Sequence, residues 1–219
     1  MIFDWGILAD NIDILAQGAM NTALVLVLSL LIGSVIGGVV CAGNLQTNRA
    51  LRLPARIYAH IFRTVPEMAL IFWVYLAMPL VLGIRMSAFT SGTIAISLVA
   101  GAFLGEIFRA GIVALPKGQN EAAQALGLGL IARWYKVLLP QALKLVLPTI
   151  VNFVTELMKM TSLLAAISVG ELAYQANVLG GQTFKYNEFF TSVAIAYFCM
   201  IFPVTLLARR LERKRDARA

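Results

Sequence analysis

Two stretches of the sequence contain no charged residue and consist mainly of aliphatic and aromatic side chains. They run from Met20 to Asn48 and from Phe189 to Ala208. A helix needs about 20 predominantly apolar residues to cross a hydrocarbon core of about 30 Å. Both stretches reach that length, and only 13% of the chain is charged, whereas a soluble domain has about a quarter. The sequence therefore predicts a polytopic, all-α membrane protein.

Hydropathy and helix breakers divide the chain into five predicted transmembrane helices. Their approximate bounds are 20–43, 57–83, 92–115, 144–168 and 189–208. The first contains Gly33-x-x-x-Gly37, a spacing that places two small residues on one helical face and allows close helix contact in lipid. Glycine is also simply common in membrane helices, so a packing role is one of two interpretations.

Basic residues are distributed unevenly among the predicted loops. They follow the first span, lie between the third and fourth spans, and follow the fifth, whereas the opposite side offers only Arg85 and Lys185. Because lysine and arginine accumulate in cytoplasmic loops, we predict an external N-terminus and a cytoplasmic C-terminus. The predicted organisation is an extracytoplasmic segment 1–17, a membrane domain 18–208 and a basic cytoplasmic tail 209–219.

The composition argues against catalysis and against nucleic-acid binding. The net charge is +7, but the basic residues lie outside the apolar stretches in a pattern that membrane topology explains. We therefore expect no nucleic-acid partner. The longest segment outside the predicted spans, 116–143, is about half the length of a minimal domain of about 50 residues. His60 is the single histidine, and CxxC, HExxH and GxxxxGK[ST] motifs are absent. We predict that the chain is not an enzyme and holds no metal.

The predicted cytoplasmic segment between spans three and four has a helix-turn-helix pattern. Pro116 interrupts the preceding span, Asn120 is a candidate N-cap, and the strong helix formers Glu121 to Leu126 follow. Gly127 ends this helix, and a second short helix is predicted from about Leu130 to Leu138, ending before the next proline. The small alanine side chains of the first helix suit a groove in another protein. The alternative is a plain interfacial loop.

Several motifs around this segment resemble those of one transporter family. Glu121-Ala122-Ala123, Gly127 and Leu139-Pro140 are similar to the EAA signature of ABC importer permeases, EAA-x₃-G-x₉-I-x-LP, with Val137 in place of isoleucine. Other motifs resemble the narrower group of permeases for polar amino acids. These are Arg63-x-x-Pro66, Gly105 to Gly111, Pro116 to Gln119 and Lys159-x-Thr161-Ser162-Leu163. The resemblance extends from about Gln17 to Arg210.

This resemblance implies the type I ABC importer fold and import of a polar amino acid by alternating access across the bacterial cytoplasmic (inner) membrane. Expected partners are a cytoplasmic ABC ATPase dimer, a second permease subunit, either the same chain or a different one, and an extracytoplasmic substrate-binding protein. Glu121, Ala122, Ala123 and Gly127 are the expected ATPase-coupling residues. ATP and Mg²⁺ would bind to the ATPase, so no cofactor is expected on this chain.

Ionisable residues inside membrane spans are costly and are therefore candidates for function. Arg63 and Glu67 lie four residues apart around Pro66, and this group is predicted to brace a kink or to form a gate. Glu106 and Arg109 are three residues apart near the cytoplasmic end of span three. They are predicted to pair, with Arg109 reaching the interface, and to matter mainly for assembly.

Span four carries polar residues at helical spacing. They are Asn152, Thr155, Glu156, Lys159 and Ser162. Such a stripe is predicted to line a water-filled substrate path or the contact with the second permease. Glu156 and Lys159 match the ammonium and carboxylate groups of an amino acid. Alternatively, these two charges neutralise each other and hold the subunits together. Met160 stands where an acidic residue is common in the resembling family.

The segment after span four is predicted to lie on the outer side. Residues 169–176 are expected to form a short interfacial helix, followed by a flexible Gly180-Gly181 pair. Four polar residues are candidate contacts with a binding protein, namely Glu171, Gln175, Lys185 and Glu188. A solvated loop is the alternative interpretation.

Two other classes of function are also considered. An ATP-independent channel would bind no ATPase through residues 117–140. A non-translocating scaffold subunit would tolerate neutral substitutions on the span-four stripe without loss of transport. An importer permease would bind an ATPase through residues 117–140, and it would lose transport when the span-four stripe is neutralised.

Overall fold

The computed structural model describes residues 3–216, and every regular element in that part of the chain is helical. The α-helices are α1 (Trp5–Asp10), α2 (Ile12–Asn44), α3 (Arg49–Thr64), α4 (Glu67–Phe72), α5 (Met78–Leu82), α6 (Ala88–Val113), α7 (Lys117–Ala125), α8 (Leu130–Arg133), α9 (Leu139–Met160), α10 (Leu172–Thr183) and α11 (Tyr186–Asp216). Two π-helical segments and one 3₁₀ segment complete the order, at Trp73–Ala77, Trp134–Leu138 and Thr161–Ile167. Residues 1–2 and 217–219, the ends of the predicted terminal segments, lie outside the described residues.

Four helical segments of the described chain are long and apolar enough to cross a membrane. They are Ile12–Asn44, Ala88–Val113, Leu130–Ile167 and Tyr186–Arg213. A fifth crossing is formed if the broken segment from α3 to α5 counts as one span. The prediction of an all-α membrane protein is thus confirmed, and the five predicted spans correspond to these four segments and the broken one. Helix α11 continues to Asp216, so the first part of the predicted basic tail extends the last span as helix.

Helices α2 and α6 pack closely through glycine, and they form the centre of the bundle with buried side chains of α4 and α9. A Cβ atom added to Gly33 would lie 2.6 Å from the Cβ of Ala100. One added to Gly37 would lie 2.9 Å from the backbone nitrogen of Gly105. Any side chain at either position would force the helices apart, so the Gly33-x-x-x-Gly37 spacing serves packing within one chain.

The second span, predicted over 57–83 with a kink at Pro66, is broken there into two helices. Its two halves, Arg49–Thr64 and Glu67–Leu82, meet at an angle of 108°. Val65 has ψ 131°, an extended conformation. The ring of Pro66 disfavours the helical conformation for the residue before it, so the helix ends there and restarts at Glu67.

Each π-helical segment begins at a tryptophan and ends two residues before a proline, Pro79 or Pro140. At the second segment, Leu139 N–H donates to the carbonyl of Trp134, five residues back. A proline lacks an amide proton and crowds the carbonyl four residues back, and the wider turn accommodates both effects. The prediction that a short helix ends before Pro140 is therefore wrong, because Leu130–Ile167 forms one helical segment.

Helix α10 lies between the fourth and fifth spans and differs from its prediction. It begins after Glu171, which is its N-cap, and it extends to Thr183. The Gly180-Gly181 pair is consequently inside the helix, not in a flexible link. Phe184 ends the helix in the left-handed conformation, with φ 57°.

Candidate functional site

The segment with the EAA-like motif folds as helix α7. The helix begins at Lys117, so the predicted start at an Asn120 cap is wrong. The carbonyl of Pro116 accepts a hydrogen bond from Gln119 N–H at 3.0 Å. This bond closes the first helical turn before the chain reaches Asn120. Proline is well suited to this place because the first turn of a helix needs no intrahelical N–H donors.

Gly127 terminates α7 as the sequence predicts. Its φ is +73°, a left-handed conformation that favours glycine. Leu128 N–H donates to the carbonyl of Ala123 at 3.2 Å, and Gly127 N–H donates to that of Gln124 at 2.9 Å. These two bonds form a Schellman cap. A Cβ at Gly127 would meet nothing within 4 Å, so the backbone conformation and not lack of space requires glycine.

Helix α7 presents one face outward and packs the other against its own chain. Glu121 and Ala122 are exposed, whereas Ala123 is only 3% exposed. The guanidinium of Arg133 donates to Asn120 Oδ1 at 3.3 Å and ties the helix to the segment that follows it. Of the predicted coupling residues, Glu121 and Ala122 therefore have accessible side chains, while Ala123 packs the helix against its own chain.

Arg63 and Glu67 lie on opposite sides of the bend in the second span. Among the described residues their side chains form no ion pair, so the predicted brace is wrong. The Arg63 guanidinium carbon lies 5.4 Å from the ring centroid of Phe103, a cation–π distance. Glu67 lines a narrow gap beside Met160. Residues four apart are neighbours only in a continuous helix, and the turn at Pro66 breaks that continuity.

Glu106 and Arg109 form the ion pair that their spacing predicts. The Arg109 Nη2 and Nε atoms lie 2.9 Å and 3.0 Å from Glu106 Oε2. The side chains are 38% and 26% exposed for Arg109 and Glu106 respectively. The Asn44 side-chain amide donates to the other oxygen of Glu106 at 3.5 Å and brings the end of α2 to the pair.

Three of the five predicted stripe residues share the exposed face of α9, namely Asn152, Glu156 and Lys159. Lys159 Nζ lies 2.7 Å from Glu156 Oε1, with side-chain exposures of 54% and 59%. Asn152 Nδ2 donates to Glu212 Oε1 of α11 at 2.7 Å. The pair of opposite charges is therefore accessible on this chain, to water or to a neighbouring subunit.

Thr155 and Ser162 differ from the other members of the predicted stripe. Thr155 is 8% exposed, and its hydroxyl donates to the carbonyl of Asn152 at 2.7 Å. Thr155 therefore lies on the side of α9 that packs against the bundle. Ser162 is half-buried in the 3₁₀ segment and donates to the carbonyl of Lys159 at 2.8 Å. Both hydroxyls are thus satisfied by their own backbone.

Glu171 is a buried structural residue, so its predicted contact with a binding protein is wrong. It is 0% exposed and caps α10 by accepting from the N–H groups of Ala173 and Tyr174 at 2.9 Å and 2.7 Å. The hydroxyl of Tyr197 on α11 donates to it at 2.9 Å. The available sequence signal was a carboxylate directly before a helical run. Burial raises the pKa of Glu171, although these three hydrogen bonds oppose the shift.

Replacing Glu171 by alanine is expected to destabilise the chain by about 3 kcal/mol, because it removes a helix cap and leaves buried donors unpaired. Glu171→Gln should cost less, since an amide oxygen still accepts and the raised pKa already favours a neutral side chain. The measurement is the thermal unfolding midpoint of the detergent-solubilised protein. Asp10→Ala, which removes an exposed acid, is the control, and an equal loss in both alanine variants would contradict this role.

The polar groups of the described chain form three accessible features and no metal-like cluster. Within residues 3–216, no three His, Cys, Asp or Glu side chains are grouped as a metal site. The accessible features are an exposed helix face around Glu121, a bend at Pro66 and the charge pair Glu156–Lys159.

Known proteins are similar to this chain over nearly its whole length. Residues 30–217 match the family described as binding-protein-dependent transport system inner membrane component. The chain is 33% identical over 204 residues to the putative glutamine transport system permease protein GlnP of Rickettsia conorii, covering 93% of this chain and 94% of that protein. It is 32% identical over 214 residues to the arginine transport system permease protein ArtQ of Bacillus subtilis, covering 98% of each.

Solved structures share the fold. A crystal structure of an amino acid ABC transporter with histidines superposes with a TM-score of 0.87 at 28% identity, covering 98% of this chain and 100% of that chain. The inward-facing MetNI methionine ABC transporter superposes with a TM-score of 0.76 at 21% identity, covering 93% and 96%, and shows the fold alone. With its α7 motif, its five spans and these matches, the chain belongs to the family of binding-protein-dependent transport system inner membrane components.

Proposed function

We propose that this chain is the permease subunit of an ATP-binding-cassette importer that carries a polar amino acid across the bacterial inner membrane. Relatives named for glutamine and arginine transport support the substrate class. The expected partners are a cytoplasmic ABC ATPase dimer, a second permease subunit and an extracytoplasmic substrate-binding protein. ATP and Mg²⁺ bind to the ATPase in this proposal, and this chain supplies the path.

The observation that carries this proposal is the exposed face of α7. The helix is short, its end is set by the Gly127 cap, and its outward side chains Glu121 and Ala122 are small or acidic. Such a helix can enter a groove of the ATPase with little loss of side-chain entropy. Its anchoring through Ala123 allows a movement of the groove to be passed to α6, which precedes it, and to the continuous segment Leu130–Ile167, which follows it.

The exposed Glu156–Lys159 pair is the proposed contact for the substrate. An amino acid carries a carboxylate and an ammonium, which match the lysine and the glutamate respectively. The two protein groups are held 2.7 Å apart and half-exposed, so water or a zwitterion can replace the bond between them at modest cost. The bend at Pro66 is the proposed gate, because a broken helix has two halves that can move separately.

The function is tested by reconstituting the chain with an ABC ATPase and a binding protein from the same genome. Vesicles containing ATP and Mg²⁺ are expected to accumulate labelled glutamine, arginine or another polar amino acid against a gradient. Accumulation should stop when ATP is omitted. Equally fast uptake by the chain alone, without the ATPase, would favour the ATP-independent channel and overturn the proposal.

The proposed topology, with the N-terminus outside and the C-terminus inside, makes a separate prediction. In a chain lacking Cys41 and Cys199, a cysteine at Asn177 should react with an impermeant reagent added outside intact cells. A cysteine at Gln119 should react only after the membrane is opened. Both positions are exposed in the structure, so access and not burial decides the result. Labelling of both from the same side would contradict an odd number of crossings between them.

A further inference from the structure

Helix α3 carries a basic stripe on one face. Its members are spaced by three or four residues and are Arg49, Arg52, Arg56, His60 and Arg63. In the described part of the chain, none of the four arginines forms a salt bridge with a carboxylate. Arginines that border a membrane core are usually paired or hydrated. The stripe therefore lacks counter-anions from its own chain.

A cavity of about 320 Å³ adjoins this stripe between the end of α2, the second half of α3 and the last turns of α6. Arg56, His60 and Arg63 line one wall, and the Glu106–Arg109 pair lines another. Because Glu106 is already engaged with Arg109, Arg56 and Arg63 leave two positive charges uncompensated. The positive charge on this wall of the cavity favours binding of an oxyanion.

Asn44 adds a second, independent observation. It lines the same cavity and is 9% exposed, and its Oδ1 atom is buried without a hydrogen-bond partner among the described residues. A buried acceptor without a donor costs free energy, so such atoms usually mark a missing partner. A ligand that has a hydroxyl or ammonium group beside its oxyanion would satisfy this acceptor and the arginines together.

A second cavity of about 280 Å³ shares Arg63 and Glu106 with the first. Its other lining is mainly apolar and includes Phe103, Ile107, Ala110 and Val146. On the outside of α3, the exposed side chains Leu53, Ile57 and Ile61 form an apolar face next to the basic stripe. The combined space therefore has a charged end, an apolar end and an apolar approach along the helix.

We propose that this space binds an anionic phospholipid. The phosphate lies against Arg56 and Arg63, a headgroup hydroxyl or ammonium donates to Asn44, and an acyl chain lies along the apolar cavity. Charge complementarity and the adjoining apolar lining favour an amphiphile over a free solute. Basic pockets between membrane helices on the cytoplasmic side recognise lipid headgroups in this way. The bound lipid would hold α3 against α6 beside the bend.

The test uses the assembled transporter, purified with equal amounts of dioleoylphosphatidylglycerol and dioleoylphosphatidylcholine and analysed by native mass spectrometry. The wild type is expected to retain phosphatidylglycerol preferentially. Arg56→Gln should weaken that retention about tenfold, because it removes a charge-assisted hydrogen bond, and Arg56→Lys should keep most of it. Arg52→Gln is the matched control, since it removes a charge from the same stripe without lining the cavity.

Competitors that lack an acyl chain distinguish binding of a lipid from binding of a free solute. Neither inorganic phosphate nor L-glutamine at millimolar concentration is expected to displace the bound phosphatidylglycerol, because neither fills the apolar cavity. Equal retention of the two lipids would overturn the proposal. The same loss in Arg52→Gln as in Arg56→Gln would also overturn it, since it would show only general attraction to basic surface. Displacement by glutamine would assign the cavity to a free amino acid instead.

Discussion

Ala122→Trp is expected to reduce ATP-driven uptake at least tenfold while the chain still inserts and assembles with its mate. Ala122 is exposed on α7, so an indole there meets no atoms of its own chain's core. In a groove fitted to alanine, the added volume costs about 1–3 kcal/mol by overpacking. The measurement is uptake into vesicles, normalised to assembled complex, together with retention of the ATPase during purification.

Two tryptophan variants serve as controls for this prediction. Ala50→Trp changes an exposed alanine in the first turn of α3 and should leave ATPase retention unchanged. Ala123→Trp changes the buried neighbour and should lower the amount of folded chain. The reason is that Ala123 is only 3% exposed and packs against the rest of its own chain. Normal uptake and normal ATPase retention by Ala122→Trp would remove the coupling role of α7.

The double variant Glu156→Gln, Lys159→Met is expected to assemble normally and to lose uptake at least tenfold. Both side chains are more than half exposed, so the pair contributes at most about 1 kcal/mol to the chain's stability. In the substrate-contact hypothesis each group has its own partner on the amino acid, so removing both charges cannot restore transport. The readouts are uptake per assembled complex and the ATPase rate stimulated by the binding protein.

A charge-swapped variant distinguishes substrate contact from a scaffold role. Glu156→Lys, Lys159→Glu keeps two opposite charges three residues apart, so it should preserve any contact that needs only mutual neutralisation. Under the contact hypothesis, uptake stays low in the swapped variant, because the positions of the carboxylate and the ammonium are exchanged. Near-normal uptake by the neutral double variant or by the swapped variant would refute substrate contact at this pair.

The residues of the candidate site were predictable to different degrees. Gly127 was predicted correctly as a helix end, because a left-handed cap is a local property of a few residues. The Glu106–Arg109 pair followed from spacing within one continuous helix. The Arg63–Glu67 brace failed, since its spacing rule assumes a helix that Pro66 interrupts. Glu171 was misassigned because its burial depends on α2 and α11, which are distant in sequence.

Hydropathy and loop charge alone determined that the chain crosses a membrane about five times with helices, because the transfer of each apolar residue into lipid depends on that residue and its close neighbours. Local stereochemistry likewise determined the break at Pro66 and the cap at Gly127. Only the tertiary structure decided that Ala123 is buried while Ala122 is exposed, that Thr155 joins the core, and that Arg56 and Arg63 of α3 share a cavity with the end of α6. The reason is physical. Which face of a helix is covered depends on packing against segments far away in the chain, and spacing along one helix carries no information about the position of its neighbours.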